Sequence, residues 1–181
     1  MKVIETPLQD CYIIEPEIFY DHRGEFLEAY NKRNLESALG FGIDFVQDNH
    51  SVSRQYVLRG LHYQNVGPQA KLIRVIKGRI QDVVVDAREE SPTFGKHFSM
   101  ILDDVKHQQL LIPKGYLHGF LALEEQTIIT YKCDDFYNAK ADVGIIYNDD
   151  FLDIDWVVDS SKIILSEKDK NLPTFQEVFC K

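Results

Sequence analysis

The sequence predicts an all-β fold, a sandwich or barrel of many short strands with a few helical turns at its edges. Two observations carry that prediction. Short β-branched and aromatic runs recur about every ten residues, and turn signals rich in Gly, Pro, Asn and Asp separate them. Only one segment has a convincing helical start and stop. The 181 residues suit one domain, 1–181, with no internal repeat, low-complexity tract or linker.

Taken in order, Cys11 to Pro16 is apolar and β-branched, and Asp21-His22-Arg23-Gly24 forms a turn before an alternating stretch, Glu25 to Tyr30. The helix is expected over Asn34 to Leu39, ended by Gly40 and Gly42. Phe45-Val46 and Tyr56-Val57-Leu58 read as short strands. Leu72 to Ile76 and Ile80 to Val85 read as two arms of a hairpin around Lys77-Gly78. Phe98 to Leu102, Gln108 to Ile112, Gly119 to Leu123 and Thr127 to Lys132 continue the series, and short helical turns are expected after Trp156.

Composition narrows the function. A hydrophobic fraction of 44% with 27% charged residues marks a soluble globular chain. A net charge of −9 argues against a general nucleic-acid binder, which needs a basic face to displace counterions, and leaves room for a local basic pocket that takes a phosphorylated ligand. No apolar run approaches the roughly 20 residues that span a bilayer, and the first residues lack the apolar core of a signal peptide. Cys11, Cys133 and Cys180 are scattered and form no C-x-x-C pair, so neither a disulfide framework nor a zinc site is expected and a reducing cytoplasm is the simplest home.

The most informative stretch is Arg59-Gly60-Leu61-His62-Tyr63-Gln64, with Lys71 nine residues after the histidine. An imidazole can take and return a proton near neutrality, and flanking Arg and Lys can hold an anion and steady developing negative charge. This pattern points to proton abstraction from an anionic, carbonyl-bearing small molecule; taken alone, the same residues also describe an ordinary charged surface strand. A second segment, Pro113 to Phe120, sets His118 in a tight Pro/Gly turn entering a strand, with the ring aimed inward; alone it also describes a structural turn with a hydrogen-bonded histidine. Two such segments about fifty residues apart resemble those that line the mouth of cupin barrels. The metal-binding H-x-H position of many cupins reads His62-Tyr63-Gln64 here, a poor ligand set, so no metal is expected.

Tyr131 could donate a proton from its phenol, or could simply be core; strand alternation would place Cys133 and Asp135 on its side. Asp169, in Leu165-Ser166-Glu167-Lys168-Asp169, could orient a histidine base or lie in a solvated turn. Arg23, in its glycine turn, could grip a pyrophosphate in bidentate fashion.

Together these segments resemble the dTDP-4-dehydrorhamnose 3,5-epimerase family over nearly the whole chain. The stretches are Asp21 to Glu28, Phe45 to Asn49, Arg59 to Gln64, Gln69 to Gly78, Asp82 to Gly95, Ile112 to Phe120 and Leu165 to Asp169. The resemblance implies a cupin-type double-stranded β-helix, or jelly-roll barrel, with a few short peripheral helices. It implies inversion at C3 and C5 of a dTDP-4-keto-6-deoxy sugar without metal or organic cofactor, and a homodimer whose N-terminal strand crosses to the partner. His62 would be the base, Asp169 its orienting partner, Tyr131 the acid, and Lys71 the group that steadies the enolate, with His118 nearby. Arg23 and Arg59 would bind the diphosphate. Gln47, Asn49, Glu28 and Phe26 would line the nucleotide and sugar pocket, and Tyr137 would lie against the base.

This sequence departs from the family pattern in places. Asp142 stands where Glu is usual, one methylene shorter; Asp149-Asp150 replaces Asp-Pro, Trp156-Val157 replaces Trp-Pro, and Tyr20 replaces a common Phe. The interval from Gln64 to Lys71 is one residue short. Rival readings are an epimerase acting at C3 or C5 alone, a non-catalytic cupin that binds a nucleotide sugar, and a metal-dependent cupin.

Overall fold

The computed structural model describes residues 1–180. Two antiparallel sheets face each other. The first holds six strands in the order β1 (Lys2–Glu5), β2 (Tyr12–Glu15), β10 (Gln109–Ile112), β7 (Lys71–Lys77), β12 (Thr127–Cys133), β5 (Gln47–Ser53). The second holds five, in the order β13 (Asp142–Gly144), β6 (Leu58–Gln64), β11 (Tyr116–Ala122), β8 (Arg79–Asp86), β9 (His97–Asp103). A separate hairpin, β3 (Ile18–Asp21) and β4 (Gly24–Leu27), carries the Asp21–Gly24 turn. The chain crosses repeatedly between the sheets, which is the jelly-roll arrangement of a cupin-type barrel.

Strand β8 shows why the fold holds. Seven of its eight residues are buried, so it does not alternate apolar with polar. Ile80 and Val84 point between the sheets, into a core with Ile73, Val75, Leu110 and Ile129. Val83 and Val85 point outward, into a second core with Leu61, Leu117, Ile145 and Phe175. Both faces are therefore dry, and each buried valine contributes roughly 1.5–3 kcal/mol relative to exposure. The outer core is closed by the C-terminal segment. There α2 (Glu167–Lys170) and α3 (Phe175–Phe179) follow a single 3₁₀ turn at Ser160–Lys162. Helix α3 starts in a capping box between Thr174 and Glu177. A third core, Ile14, Leu35, Leu72 and Leu111, lies outside the six-stranded sheet beneath α1 (Lys32–Leu39).

Helix α1 starts two residues before the expected Asn34 because the Asn31 side chain accepts from the Asn34 backbone N–H; it ends at Gly40 in the left-handed region, as expected. One strand pairing differs from the sequence reading. The segments around Lys77-Gly78 are strands, but β7 pairs with β10 and β12 while β8 pairs with β11 and β9. The turn is a step between sheets rather than a hairpin. Gly78 makes it with φ +82°, where an added Cβ would lie 2.8 Å from Thr127 Oγ1. Phe45-Val46 precedes a strand instead of forming one, and Tyr56 turns at φ +66° before β6 begins.

Gly60 fixes the spacing of the strands that carry the two histidines. Its φ is +118°, and a Cβ there would meet Gly119 Cα at 2.5 Å and His118 O at 2.7 Å. Strands β6 and β11 approach more closely here than side chains would allow, and His62 and His118 fall directly opposite each other in register.

Candidate active site

One end of the sandwich opens into a cavity of about 640 Å³. The six-stranded sheet sends in Gln47 and Asn49 from β5, Lys71 from β7 and Tyr131 from β12. The five-stranded sheet sends in Arg59 and His62 from β6 and His118 from β11. Asp142, Tyr137 and the α2 segment with Lys168 and Asp169 form the rim. The imidazole of His62 and the phenol of Tyr131 thus enter one space from opposing sheets.

His62 Nε2 lies 2.6 Å from Asp169 Oδ1. Asp169 is buried, and Ser166 caps α2 by accepting from the Asp169 backbone N–H at 3.1 Å. Burial pushes the Asp169 carboxyl up, but the hydrogen bond and charge of His62 and the Ser166 contact pull it down, leaving it below the usual carboxylate range. An ionised Asp169 accepting from Nε2–H leaves Nδ1 as the imidazole nitrogen free to take a proton. A second pair lies beside it: His118 Nε2 is 2.9 Å from Oδ2 of Asp82, a fully buried carboxylate on β8.

Lys71 is strongly desolvated, which lowers its ammonium below the usual lysine range, partly offset by Cys133, Asp142 and Asp82. Burial raises the Tyr131 phenol, with Cys133 adding to the rise and Arg59 opposing it. Tyr131 therefore holds its proton through neutral pH. Arg59 donates from Nε to Ser53 Oγ at 3.2 Å and from Nη2 to Val52 O at 3.4 Å, which aims it across the cavity mouth. Gln47 bridges Asn49 (3.0 Å) and the Tyr137 backbone N–H (2.9 Å).

Gln64, at the position where many cupins carry a second histidine, spends its amide on backbone: Nε2 donates to Gly67 O and Oε1 accepts from Asn138 N–H, each at 2.7 Å.

Ten of the thirteen residues singled out in the sequence meet in this cavity, and three do not. Arg23, Phe26 and Glu28 lie on or just after the β3–β4 hairpin, outside it. Arg23 turns back on Asp21, at 3.0 and 2.6 Å, with its side chain 79% exposed. Phe26 is 69% exposed, and Glu28 accepts from Asn31 and Asn34 at the start of α1. Asp135 also does not follow Tyr131 and Cys133 inward, because β12 ends at Cys133. Lys168 was passed over in the sequence although it neighbours Asp169; it lines the cavity and donates to Asp142 Oδ2 at 2.7 Å.

A cupin-type barrel that brings an imidazole–carboxylate pair, a phenol and a desolvated lysine into one cavity has the groups that an isomerase working by proton transfer needs. The model of one such family, dTDP-4-dehydrorhamnose 3,5-epimerase, matches residues 5–177, and the chain belongs to that family. The Escherichia coli K12 protein of that name is 45% identical over 179 residues, covering 98% of this chain and 96% of its own. The crystal structure of the Elizabethkingia anophelis protein of that name superposes with a TM-score of 0.94 at 47% identity, covering 99% of this chain and 98% of the other. A Legionella pneumophila dTDP-6-deoxy-D-glucose-3,5-epimerase, solved with dTDP-4-keto-L-rhamnose, gives 0.92 at 42% identity, covering 96% and 92%. The family, the fold and the enzyme class expected from the sequence are borne out.

Proposed function

We propose that this chain inverts C3 and C5 of dTDP-4-dehydro-6-deoxy-D-glucose, giving dTDP-4-dehydro-L-rhamnose for L-rhamnose biosynthesis. The observation that carries the reading is the entry of His62, backed by Asp169, and of Tyr131 from opposing sheets of one cavity.

The chemistry follows from the substrate. Its 4-keto group acidifies the hydrogens on both C3 and C5, so one enolate-stabilising group serves both steps. His62 takes the proton, and Asp169 steadies the imidazolium. Lys71, with His118 nearby, stabilises the enolate oxygen. Tyr131 returns a proton to the opposite face, which is what converts exchange into inversion. Arg59 holds the diphosphate, Gln47, Asn49 and Asp142 position nucleotide and sugar, and Tyr137, 57% exposed at the rim, lies against the base.

In this reading the protein works in the cytoplasm as a homodimer. Arg23, Phe26 and Glu28 complete the partner's cavity, which accounts for their absence from their own. The exposed aromatic rings of Phe19, Tyr20 and Phe26 on that hairpin support a covered face. A light-scattering mass of 21.0 kDa, that of one chain, would exclude the dimer.

Turnover in deuterated water tests the reaction. Label at both C3 and C5 of the inverted sugar is the expected result. Label at one carbon alone would assign a mono-epimerase, and bound but unchanged sugar would leave only a binding protein. Tyr131→Phe is expected to slow inversion about a hundredfold while exchange falls much less; equal loss of both would remove the tyrosine from the acid role.

A further inference from the structure

The carboxylate of Asp142 joins directly two parts of the cavity wall that are otherwise held separately to β6, the loop after β12 by Gln64 and α2 by His62. Asp142 opens β13 and pairs with Gln64 on β6. Its Oδ2 accepts from the Tyr137 hydroxyl at 3.0 Å and from Lys168 Nζ at 2.7 Å. Tyr137 belongs to the loop after β12, whereas Lys168 belongs to α2. Lys168 is followed directly by Asp169, whose carboxylate holds His62.

Helix α2 has four residues. A helix of one turn has no cooperative stability of its own, so tertiary contacts decide where it sits. The Ser166 cap organises its first turn, and the His62 contact pulls on one side. The Lys168 contact to Asp142 supplies the lateral tie. The Asp142 side chain is only 19% exposed, which limits screening of that ion pair. The departure from the family pattern matters here. With Asp in place of Glu, the carboxylate is shorter, and in this chain it is engaged by Tyr137 and Lys168.

We infer that Asp142 is a positioning residue: by tying Lys168 to Tyr137 it fixes α2, and so keeps Asp169 in register with His62. The inference rests on the acid–base reading of the cavity given above. It also links the ring proposed to meet the nucleotide base to the carboxylate that orients the proton acceptor.

The test uses Asp142→Asn, Lys168→Met, the double variant and Asp142→Glu. Two readouts apply: substrate exchange in deuterated water, and the far-downfield proton resonance of the His62 ring N–H, assigned by its loss in His62→Asn. Each single variant is expected to lower kcat for exchange about threefold to fivefold, the size of a partly shielded ion pair. The double variant should be no slower than the singles, because one link is already cut. The resonance should broaden or move in both singles and return in Asp142→Glu. Additive losses in the double variant, or an unmoved resonance, would each overturn the inference. If wild-type protein shows no exchange while the resonance still responds to both singles, the proposed reaction falls and the positioning role stands.

Discussion

Two buried aspartates on the inward face of β8 differ in how fully their charge is met. Asp86 accepts from Arg88 Nε (2.9 Å) and Nη2 (2.8 Å), Ser91 Oγ (2.5 Å), Thr93 Oγ1 (2.6 Å) and the Tyr116 hydroxyl (3.1 Å). Asp82, four residues earlier, accepts from His118 alone, and its Oδ1 has no partner among the described residues. The saturated carboxylate lines no part of the cavity, and its donors Arg88 and Tyr116 reach the Gln9–Asp10 turn. The undersupplied one faces the histidine that borders the cavity. Burying a carboxylate is costly unless donors surround it, so a complete donor set marks scaffold and an incomplete one marks a place where function outweighs stability.

That contrast separates effects on turnover from effects on stability. The largest expected effect is at the cavity: His62→Asn should cut exchange at both carbons by about a thousandfold or more, with dTDP binding by calorimetry little changed. Exchange within tenfold of wild type would remove His62 from the base role. Asp169→Asn should cost about 10- to 100-fold in turnover, through an imidazole that is less well oriented and less basic, with little change in thermal midpoint. A neutral result would remove Asp169 from the orienting role. Asp86→Asn should do the reverse. Chemical denaturation should show a loss of about 3 kcal/mol, because Arg88 loses its buried counter-charge and keeps only the exposed Asp10, while kcat stays within about twofold. Burial raises the Asp86 carboxyl, but hydrogen bonds from Arg88, Ser91 and Thr93 bring it down to about 2 from an ordinary 3.8. A depressed folded-state value means its stabilisation is complete above about pH 4 and is lost as pH falls toward 2. Acid unfolding of Asp86→Asn should lack that component across this window; an unchanged acid curve would show that Asp86 does not carry it.

Much of the fold was legible in the sequence because strand cores are apolar and turns use Gly, Pro and Asp. What escaped has physical reasons. Strand β5, Gln47–Ser53, is polar apart from Val52, because one face lines the cavity and the other meets solvent, so no apolar alternation announces it. Strand β13 is three residues long and is defined by its pairing with β6. The step at Lys77-Gly78 looks locally like a hairpin turn, and only long-range pairing decides otherwise. In the site, residue type revealed His62 and Tyr131, whereas Lys168 looked like one more charge in a solvated turn. The position of Arg23, Phe26 and Glu28 outside the cavity has no local signature, since order along a chain does not say where a hairpin packs.

Gly60 has a consequence for how this protein tolerates change. With no room for even a methyl group against Gly119, a substitution there would pry two neighbouring strands apart at the one place where both bear an imidazole. Such an allele could leave the distant barrel wall intact and still misalign the proton-handling groups, so a well-expressed protein would be a poor guide to a working one.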